Sequence, residues 1–471
     1  MLRPHLLAVF IQSDKLLSDL TIQNSLSEFT DVEGGRDLHR LPLGTDLMRL
    51  WSNIELTLDP KNSLILGSEE DGYIHFQSNN EYYSFETDDL GLGQFYFVQS
   101  DWGVALCTEF EPLLPFLHKL SLDTESVFDF MSNGMTSGNK TLLINVQSSS
   151  PGTKLTIFKN GRVSLDTNPY VPSILNISIE AAADMAYDIV KSRVRKMVFE
   201  EGIKILALTG GSDTRLILSC FSVTERTQLK FWFDDRLAHS KLKTFLDKKI
   251  VQILEHKLSL DVIYGAPPVS VGSNSVRRRK NGLRTFNNDF RAWTCSGMFG
   301  GEILGGALFE EMGLTPDTDK AQFAVHQLFS AFMGTTHADY LWRHPHYFFY
   351  SRRTPFWTPK LLKLIISLPV DYYIFYRLYR IIFQRHANNL IQYPFNSPIT
   401  SHGSPFQSVD GIPQSALEQI NPPVQTTELK IHSLIEDTIG PKMHKILKEN
   451  PNYELRARIL SAFIKDSLGV D

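Results

Sequence analysis

The sequence predicts a two-domain protein of the α/β and α+β classes, an antiparallel first part followed by a parallel sheet packed with helices. Three observations carry that prediction. Residues 1–168 read as short strands separated by turns. At Asn168-Pro169-Tyr170-Val171-Pro172 two prolines interrupt the rhythm and mark a linker. Beyond the linker, buried strands alternate with amphipathic helices, the pattern of a parallel sheet with crossover helices. The expected domains are 1–168 and 175–471.

Each element has a local reason. Residues 94–98 and 103–107 flank Ser100-Asp101-Trp102 and predict a hairpin. Phe110 to Leu120 suggests a helix, which Pro112 and Pro115 should confine to its later part. Residues 154–158 and 162–165 flank Lys159-Asn160-Gly161, and the Asn-Gly pair predicts a second hairpin. Ser178 can cap a helix whose apolar positions Ile179, Ala182, Ala186, Val190, Val194 and Met197 recur every three or four residues. A buried strand over Ile203–Leu208 follows, then a glycine turn, then a helix from near Asp213. Leu229–Phe233 is the next strand and Leu242–Lys257 the next helix. From about residue 320 the pattern is mostly helical, with no internal repeat or low-complexity tract.

Composition narrows the function classes. A chain of 471 residues exceeds the size at which one core keeps growing. With 42% hydrophobic residues, 21% charged residues and a net charge of −5, no global basic field exists to hold nucleic acid or a membrane surface. The local exception, Arg277 to Lys280 with Arg284, reads as an anion-steering patch or a solvated loop. Cys107, Cys220 and Cys295 lie far apart without metal spacing, and fit buried reduced thiols in a cytosolic protein. The start of the chain lacks signal-peptide character, and the apolar run Leu361 to Leu368 is too short to span a bilayer. A cytoplasmic location is therefore expected. His344 and His346 flank Pro345 without metal spacing. Tyr347 to Tyr350 and Tyr372-Tyr373 read as packing residues.

The segment that carries chemistry is Thr209-Gly210-Gly211-Ser212-Asp213-Thr214. A strand that ends in two glycines and opens a helix makes an anion site, because the backbone can approach closely and the helix N-terminus offers unpaired N–H groups. The hydroxyls of Thr209, Ser212 and Thr214 add donors. No lysine follows the glycines, so this is not the GxxxxGK[ST] phosphate loop, and GxGxxG is absent. Asp213 points to a cation such as Mg²⁺ between it and the phosphates. The bland alternative is a hydroxyl-capped helix start.

In its wider setting this segment resembles the pyrophosphatase loop Ser-Gly-Gly-x-Asp-Ser of the asparagine synthetase superfamily, with Thr in place of both serines. Ser296-Gly297-Met298-Phe299-Gly300-Gly301-Glu302-Ile303-Leu304-Gly305-Gly306 is similar to that family's Ser-Gly-Glu-Gly-Ala-Asp-Glu-Leu-Phe-Gly-Gly. Arg353-Thr354-Pro355-Phe356 resembles its Arg-x-Pro-Phe element. Asp89-Leu90-Gly91 with Thr108-Glu109, and Pro151-Gly152 with Asn160-Gly161, resemble landmarks of its N-terminal glutaminase-like domain. The resemblance implies an Ntn-hydrolase-like antiparallel sandwich followed by an adenine nucleotide alpha hydrolase-like parallel sheet. It also implies a reaction, in which a carboxylate is activated as an acyl-adenylate and passed to an amine. Leu208, Thr209, Gly210, Gly211, Ser212, Asp213 and Thr214 would then surround the ATP phosphates, with Asp213 as a Mg²⁺ ligand. Phe233, Ser296 and Gly297 would lie near adenosine.

Departures from the family pattern shape the expected activity. Its glutamine-hydrolysing members expose an N-terminal Cys; here position 2 is Leu, and relatives that make β-lactams or cyclise lasso peptides have also lost this nucleophile and use an amine already on the substrate. Met298 and Gly301 stand where the pattern has carboxylates. Glu302 is either a longer-reaching metal ligand and catalytic residue or the cap of the following helix. The family's late lysine has no counterpart in Tyr393-Pro394-Phe395-Asn396-Ser397-Pro398, which leaves Arg377, Arg380 and Arg385 as substitutes, Arg380 being the chosen candidate. Two functions are expected from this. The first is an ATP- and Mg²⁺-dependent, AMP-forming ligase acting on a small-molecule or peptide carboxylate, alone or with other biosynthetic proteins, and binding neither nucleic acid nor membrane. The second is a degenerate homologue acting as a nucleotide-binding or scaffold protein.

Overall fold

A computed structural model of the 471-residue chain describes residues 6–12, 19–32, 39–41, 48–52, 57–70, 72–108, 110–133, 136, 139–200, 205–233, 241–265, 294–295, 297, 300–304, 352–372, 376–395, 429–449, 453, 457 and 460–461. The basic cluster Arg277–Lys280 with Arg284, His344, His346, Tyr347 to Tyr350 and Tyr373 lie outside these residues.

The first part is a sandwich of two antiparallel sheets. Strands β1 (Leu6–Ile11), β2 (His39–Leu41), β3 (Met48–Ser52), β7 (Tyr96–Ser100), β8 (Gly103–Cys107) and β9 (Val146–Ser148) form one sheet in the order β2-β3-β1-β8-β7-β9. Strands β4 (Ser63–Ser68), β5 (Gly72–Ser78), β6 (Tyr82–Thr87), β10 (Thr153–Phe158) and β11 (Val163–Thr167) form the other in the order β11-β10-β6-β5-β4. Both expected hairpins are present, Tyr96↔Cys107 in one register and Leu155↔Leu165 in the other.

Strand β1 shows how alternation builds two cores at once. Leu6, Ala8 and Phe10 face the second sheet and pack with Phe76, Phe85 and Phe95. Leu7, Val9 and Ile11 face the opposite way, onto a helical layer. That layer includes helices α1 (Asp19–Val32) and α2 (Thr124–Asn133), and a 3₁₀ helix over Glu111–Phe116. The 3₁₀ helix corrects the expectation of a helix late in Phe110–Leu120. It takes in both prolines, with Pro112 at its start and Pro115 inside, and ends at Leu117, whose backbone is extended. A short 3₁₀ helix of two turns tolerates the missing N–H groups that a longer α-helix would not.

Between the sandwich and the next sheet, the loop after β6 is tied down by one side chain. The buried Asp88 carboxylate accepts from the backbone N–H groups of Tyr73, Leu90, Leu92 and Gly93, the last at 2.7 Å. Gly91 in this loop has φ +71°, and a Cβ there would lie 2.9 Å from Pro151 N. The two upstream landmarks therefore touch.

Helix α3 (Ile179–Phe199) opens the second part, its Ser178 side chain accepting from the Ala181 N–H at 3.2 Å as a cap. The sheet that follows comprises β12 (Ile205–Ala207), β13 (Lys230–Phe233), β14 (Asp261–Tyr264), β15 (Thr294–Cys295) and β16 (Arg352–Arg353), every pair parallel. Strand β12 is shorter than expected: Leu208 leaves it, though its N–H still reaches Trp232 O at 2.9 Å. The resemblance element at Arg353 begins in β16. Helices α4 (Ser212–Ser219), α5 (Val223–Arg226), α6 (Lys241–Leu258), α7 (Gly300–Leu304), α8 (Pro359–Ile366), α9 (Arg377–His386) and α10 (Asn388–Ile391) accompany this sheet. Two last helices, α11 (Leu429–Ile439) and α12 (Pro441–Lys448), put Ile431, Ile435 and Leu447 into the helical-layer core of the first sandwich. They are braced by His444, whose Nδ1 lies 3.0 Å from Glu436 Oε2 and whose Nε2 lies 2.6 Å from the Tyr453 hydroxyl. Among the described residues no helix is long and apolar enough to cross a membrane.

Candidate functional site

The parallel sheet has the order β14-β13-β12-β15-β16. From β12 the chain moves outward through β13 to β14, then returns across β12 to place β15 and β16 on the other side. The reversal falls between β12 and β15. At such a switch point the connections leave the carboxyl ends in opposite directions and open a crevice, the usual ligand position of open α/β sheets. Two segments singled out in the sequence lie there. Leu208 to Thr214 follows β12, and Gly297 with Gly300 to Glu302 follows β15.

The glycine turn is organised by side chains of the chain itself. The Thr209 N–H donates to Thr214 Oγ1 at 3.1 Å, and the Gly211 N–H donates to Thr209 Oγ1 at 3.2 Å. The Gly210 N–H donates to Oδ1 of the buried Asp247, on α6, at 3.0 Å. Three amides that an anion could use are thus engaged within the loop. At Gly211 the surroundings are different. Its φ of −75° suits any residue, and a Cβ there would meet, among the described residues, only Thr209 Oγ1 at 3.3 Å. Gly211 lies beside the N-terminus of α4.

Asp213, in the first turn of α4, is held from two sides. Its Oδ1 accepts from the Tyr379 hydroxyl at 2.7 Å and from the Ser212 hydroxyl at 3.3 Å. Tyr379 lies on α9 and is fully buried; burial first, and then the Asp213 charge, hold its phenol well above the usual tyrosine range, so it stays a donor. From the other side come the glycines after β15. A Cβ at Gly297 would lie 2.8 Å from Asp213 Cβ, and one at Gly300 would lie 2.7 Å from Asp213 Cγ. Gly301, which stands at a carboxylate position of the resembled pattern, would place a Cβ 3.8 Å from Asp213 Oδ2. The two resemblance blocks are therefore in contact through Asp213.

The remaining predicted residues divide. Leu208 is buried at the end of β12, and Phe233 is buried at the end of β13 with its ring edge-on to Tyr264, 6.0 Å between centroids. Ser296 and Met298 lie outside the described residues, as does the side chain of Glu302, whose backbone belongs to α7. Arg380 is exposed on α9, next to the tyrosine that does reach Asp213. Arg377 and Arg385 are engaged elsewhere, Arg377 with Asp371 at 2.9 Å and Arg385 with Asp184 at 2.7 Å.

Sequence reasoning missed three residues here. Tyr379 was legible only in part: Tyr376, Tyr379 and Phe383 are spaced three and four apart and share the buried face of α9, which sends Arg377 and Arg380 outward. Asp247 stands alone among the buried positions of α6 as a carboxylate, a signal visible only once the face of that helix is known. Arg215, two residues after Asp213, is fully buried. It donates to Tyr393 O at 3.2 Å and Pro394 O at 2.8 Å and lies 3.9 Å from the centre of the Phe395 ring. Burial pushes its guanidinium down to about 9. Residues 393–395 are thereby fastened to α4 by an arginine. Chemically, the two segments offer the N-terminus of α4 and a carboxylate fixed by hydroxyls. A scan against protein-family models and a search of curated proteins both find no match to this chain.

Proposed function

We propose that this chain is an ATP-dependent, AMP-forming amide ligase of the asparagine synthetase type, which adenylates a carboxylate and joins it to an amine without hydrolysing glutamine. The observation that carries the reading is the switch-point order of the parallel sheet, which sets the Asp213 segment and the Gly297–Glu302 segment on either side of one crevice. In this reading the sandwich is a degenerate Ntn-hydrolase-like domain, and the parallel sheet is adenine nucleotide alpha hydrolase-like. All three cysteines are buried, which supports a reaction without a cysteine nucleophile.

The residues fit the phosphates of ATP beside Gly211, where among the described residues only Thr209 Oγ1 would approach an added Cβ and the N-terminus of α4 favours negative charge. Asp213 would hold Mg²⁺, with Glu302 as the second candidate, and the cation would supply charge neutralisation for the departing pyrophosphate. Thr209, Ser212 and Thr214 line the same turn. Phe233, Ser296 and Gly297 are the proposed neighbours of adenosine. Arg380 is the proposed basic group toward the carboxylate substrate, a small molecule or a peptide, and its exposure supports contact with an incoming anion. A cytoplasmic location and association with other biosynthetic proteins belong to the same proposal.

A second reading, a nucleotide-binding or scaffold protein without transfer activity, is favoured by one observation. The amides of Thr209, Gly210 and Gly211 are already engaged by Thr214, Thr209 and Asp247, so phosphate must compete for them. Pyrophosphate exchange with ATP and Mg²⁺ across candidate carboxylates separates the two. The ligase reading expects exchange by the native protein and roughly 10- to 100-fold less by Asp213→Ala. ATP binding without exchange for any carboxylate would leave the second reading standing.

A further inference from the structure

Tyr379 belongs to neither segment of the crevice, yet it is the residue that fixes the crevice's carboxylate. Its hydroxyl and that of Ser212 both donate to Oδ1 of Asp213, at 2.7 and 3.3 Å. Two donors on one oxygen restrain the carboxyl group, whose Oδ2 and Oδ1 would lie 3.8 and 3.9 Å from a Cβ at Gly301. The tyrosine is itself immobilised. It is fully buried, its ring packs at 5.5 Å and 64° against Phe383, and Tyr376 lies 6.4 Å away at 15°. Such rigidity is what a group needs if it is to hold a ligand's orientation rather than merely fill space.

We propose that Tyr379 is a positioning residue for Asp213, holding its carboxylate in the orientation that would meet a divalent cation delivered with the nucleotide's phosphates. The inference rests on the ATP and Mg²⁺ reading given above. Among the described residues no group of three His, Cys, Asp or Glu side chains converges to hold a metal ion. A single carboxylate with phosphate oxygens is a usual Mg²⁺ environment, whereas one carboxylate alone binds the ion weakly. Cation binding is therefore coupled to nucleotide binding, and the orientation of one carboxyl group carries much of that coupling.

The test is Mn²⁺ binding to the full chain, followed by electron paramagnetic resonance with and without ATP, together with ATP affinity measured in EDTA. Native protein is expected to take up Mn²⁺ strongly only when ATP is present. Tyr379→Phe, which keeps the ring and removes the donor, is expected to lose about tenfold or more in Mn²⁺·ATP affinity. Its affinity for ATP in EDTA should stay within twofold of native, and Asp213→Asn should lose more of the Mn²⁺·ATP affinity than Tyr379→Phe does. An equal loss with and without metal would assign Tyr379 a packing role and overturn the proposal, as would no loss at all. Thermal melting identifies a Tyr379→Phe variant that has lost its fold. Phe383→Leu, which keeps the Tyr379 hydroxyl but loosens the ring packed against it, then serves in its place and is judged on the same two affinities. Native protein that binds ATP equally well with Mn²⁺ and in EDTA refutes the positioning role while leaving nucleotide binding intact. Native protein that binds no ATP under either condition refutes the nucleotide reading itself, and this inference with it.

Discussion

Glycine has two distinct uses around Asp213, and substitution separates them. At Gly300 an added Cβ would lie 2.7 Å from Asp213 Cγ and 2.8 Å from its Oδ1, and that carboxyl group is pinned by Tyr379 and Ser212. Gly300→Ala must therefore displace α7 or Asp213, at a cost of about 1–3 kcal/mol for overpacking a tight contact. Thermal or denaturant unfolding checks this, and an unchanged midpoint would mean that the contact yields easily. Gly211 is the opposite case. With φ at −75° and only Thr209 Oγ1, at 3.3 Å, close to its Cβ position among the described residues, Gly211→Ala asks a short side chain to shift by a few tenths of an ångström and should cost about 1 kcal/mol or less, below the cost of Gly300→Ala. The methyl group would occupy the space offered to phosphate, so ATP affinity should fall by tenfold or more on the nucleotide reading. A variant with native stability and native ATP affinity would remove the phosphates from Gly211.

At the scale of elements, α3 and α9 are joined by a charged clamp. Arg385 grips Asp184 with two hydrogen bonds of 2.7 Å, and His386 Nε2 lies 2.7 Å from the same carboxylate while its ring stacks on Tyr187 at 4.2 Å. The hydrogen bond from Arg385, more than that from His386, holds the Asp184 carboxyl below its usual range. A lowered folded-state pKa contributes stability that is present above the unfolded value, about 3.9, and is lost as pH falls through the folded value. Asp184→Asn should thus melt slightly below native at neutral pH, and the gap should close on acidification below about pH 3.9. A gap that persists unchanged into acid would assign the clamp's contribution to packing. Glu225 follows the same sign: Arg195 first, and then the Ser222 N–H, hold it down to about 2. These clamps also mark the limit of what the sequence made legible. The periodicity of α3, its Ser178 cap and the Asn-Gly hairpin are local patterns, so sequence alone located them. The pairing of Asp184 with Arg385, of Tyr379 with Asp213 and of Asp247 with Gly210 depends on which helix faces meet, and residues far apart in sequence carry no local sign of that. The 3₁₀ helix at Glu111–Phe116 was misplaced for another reason, since prolines that forbid an α-helix still permit a short, tighter 3₁₀ helix.

Across the whole molecule, the first sheet is covered on both faces, and one cover comes from the far end of the described chain. Leu7, Val9, Tyr96, Val98 and Ala105 point away from the sandwich core into a layer that α11 and α12 help to complete with Ile431, Ile435 and Leu447. Burying a large aliphatic side chain is worth about 1.5–3 kcal/mol, so these three side chains together amount to a substantial share of a domain's net stability. Thiol chemistry reads this layer directly. Cys107, on β8, faces it and is inaccessible, and Cys220 and Cys295 are buried in the core around the parallel sheet. Burial pushes the Cys220 thiol up to about 12, which suppresses its thiolate at neutral pH. Native protein should therefore react with none of its three thiols on the timescale on which denatured protein reacts with all three. A chain ending at residue 428 lacks α11 and α12 and exposes the outer face of the first sheet. Its Cys107 should then become reactive while Cys220 and Cys295 stay protected, and apolar dye binding should rise in parallel. Equal protection of all three cysteines in the shortened chain would show that α1, α2 and the 3₁₀ helix suffice to seal the sheet. Selective exposure of Cys107 would establish that the last helices stabilise the half of the molecule that the chain builds first.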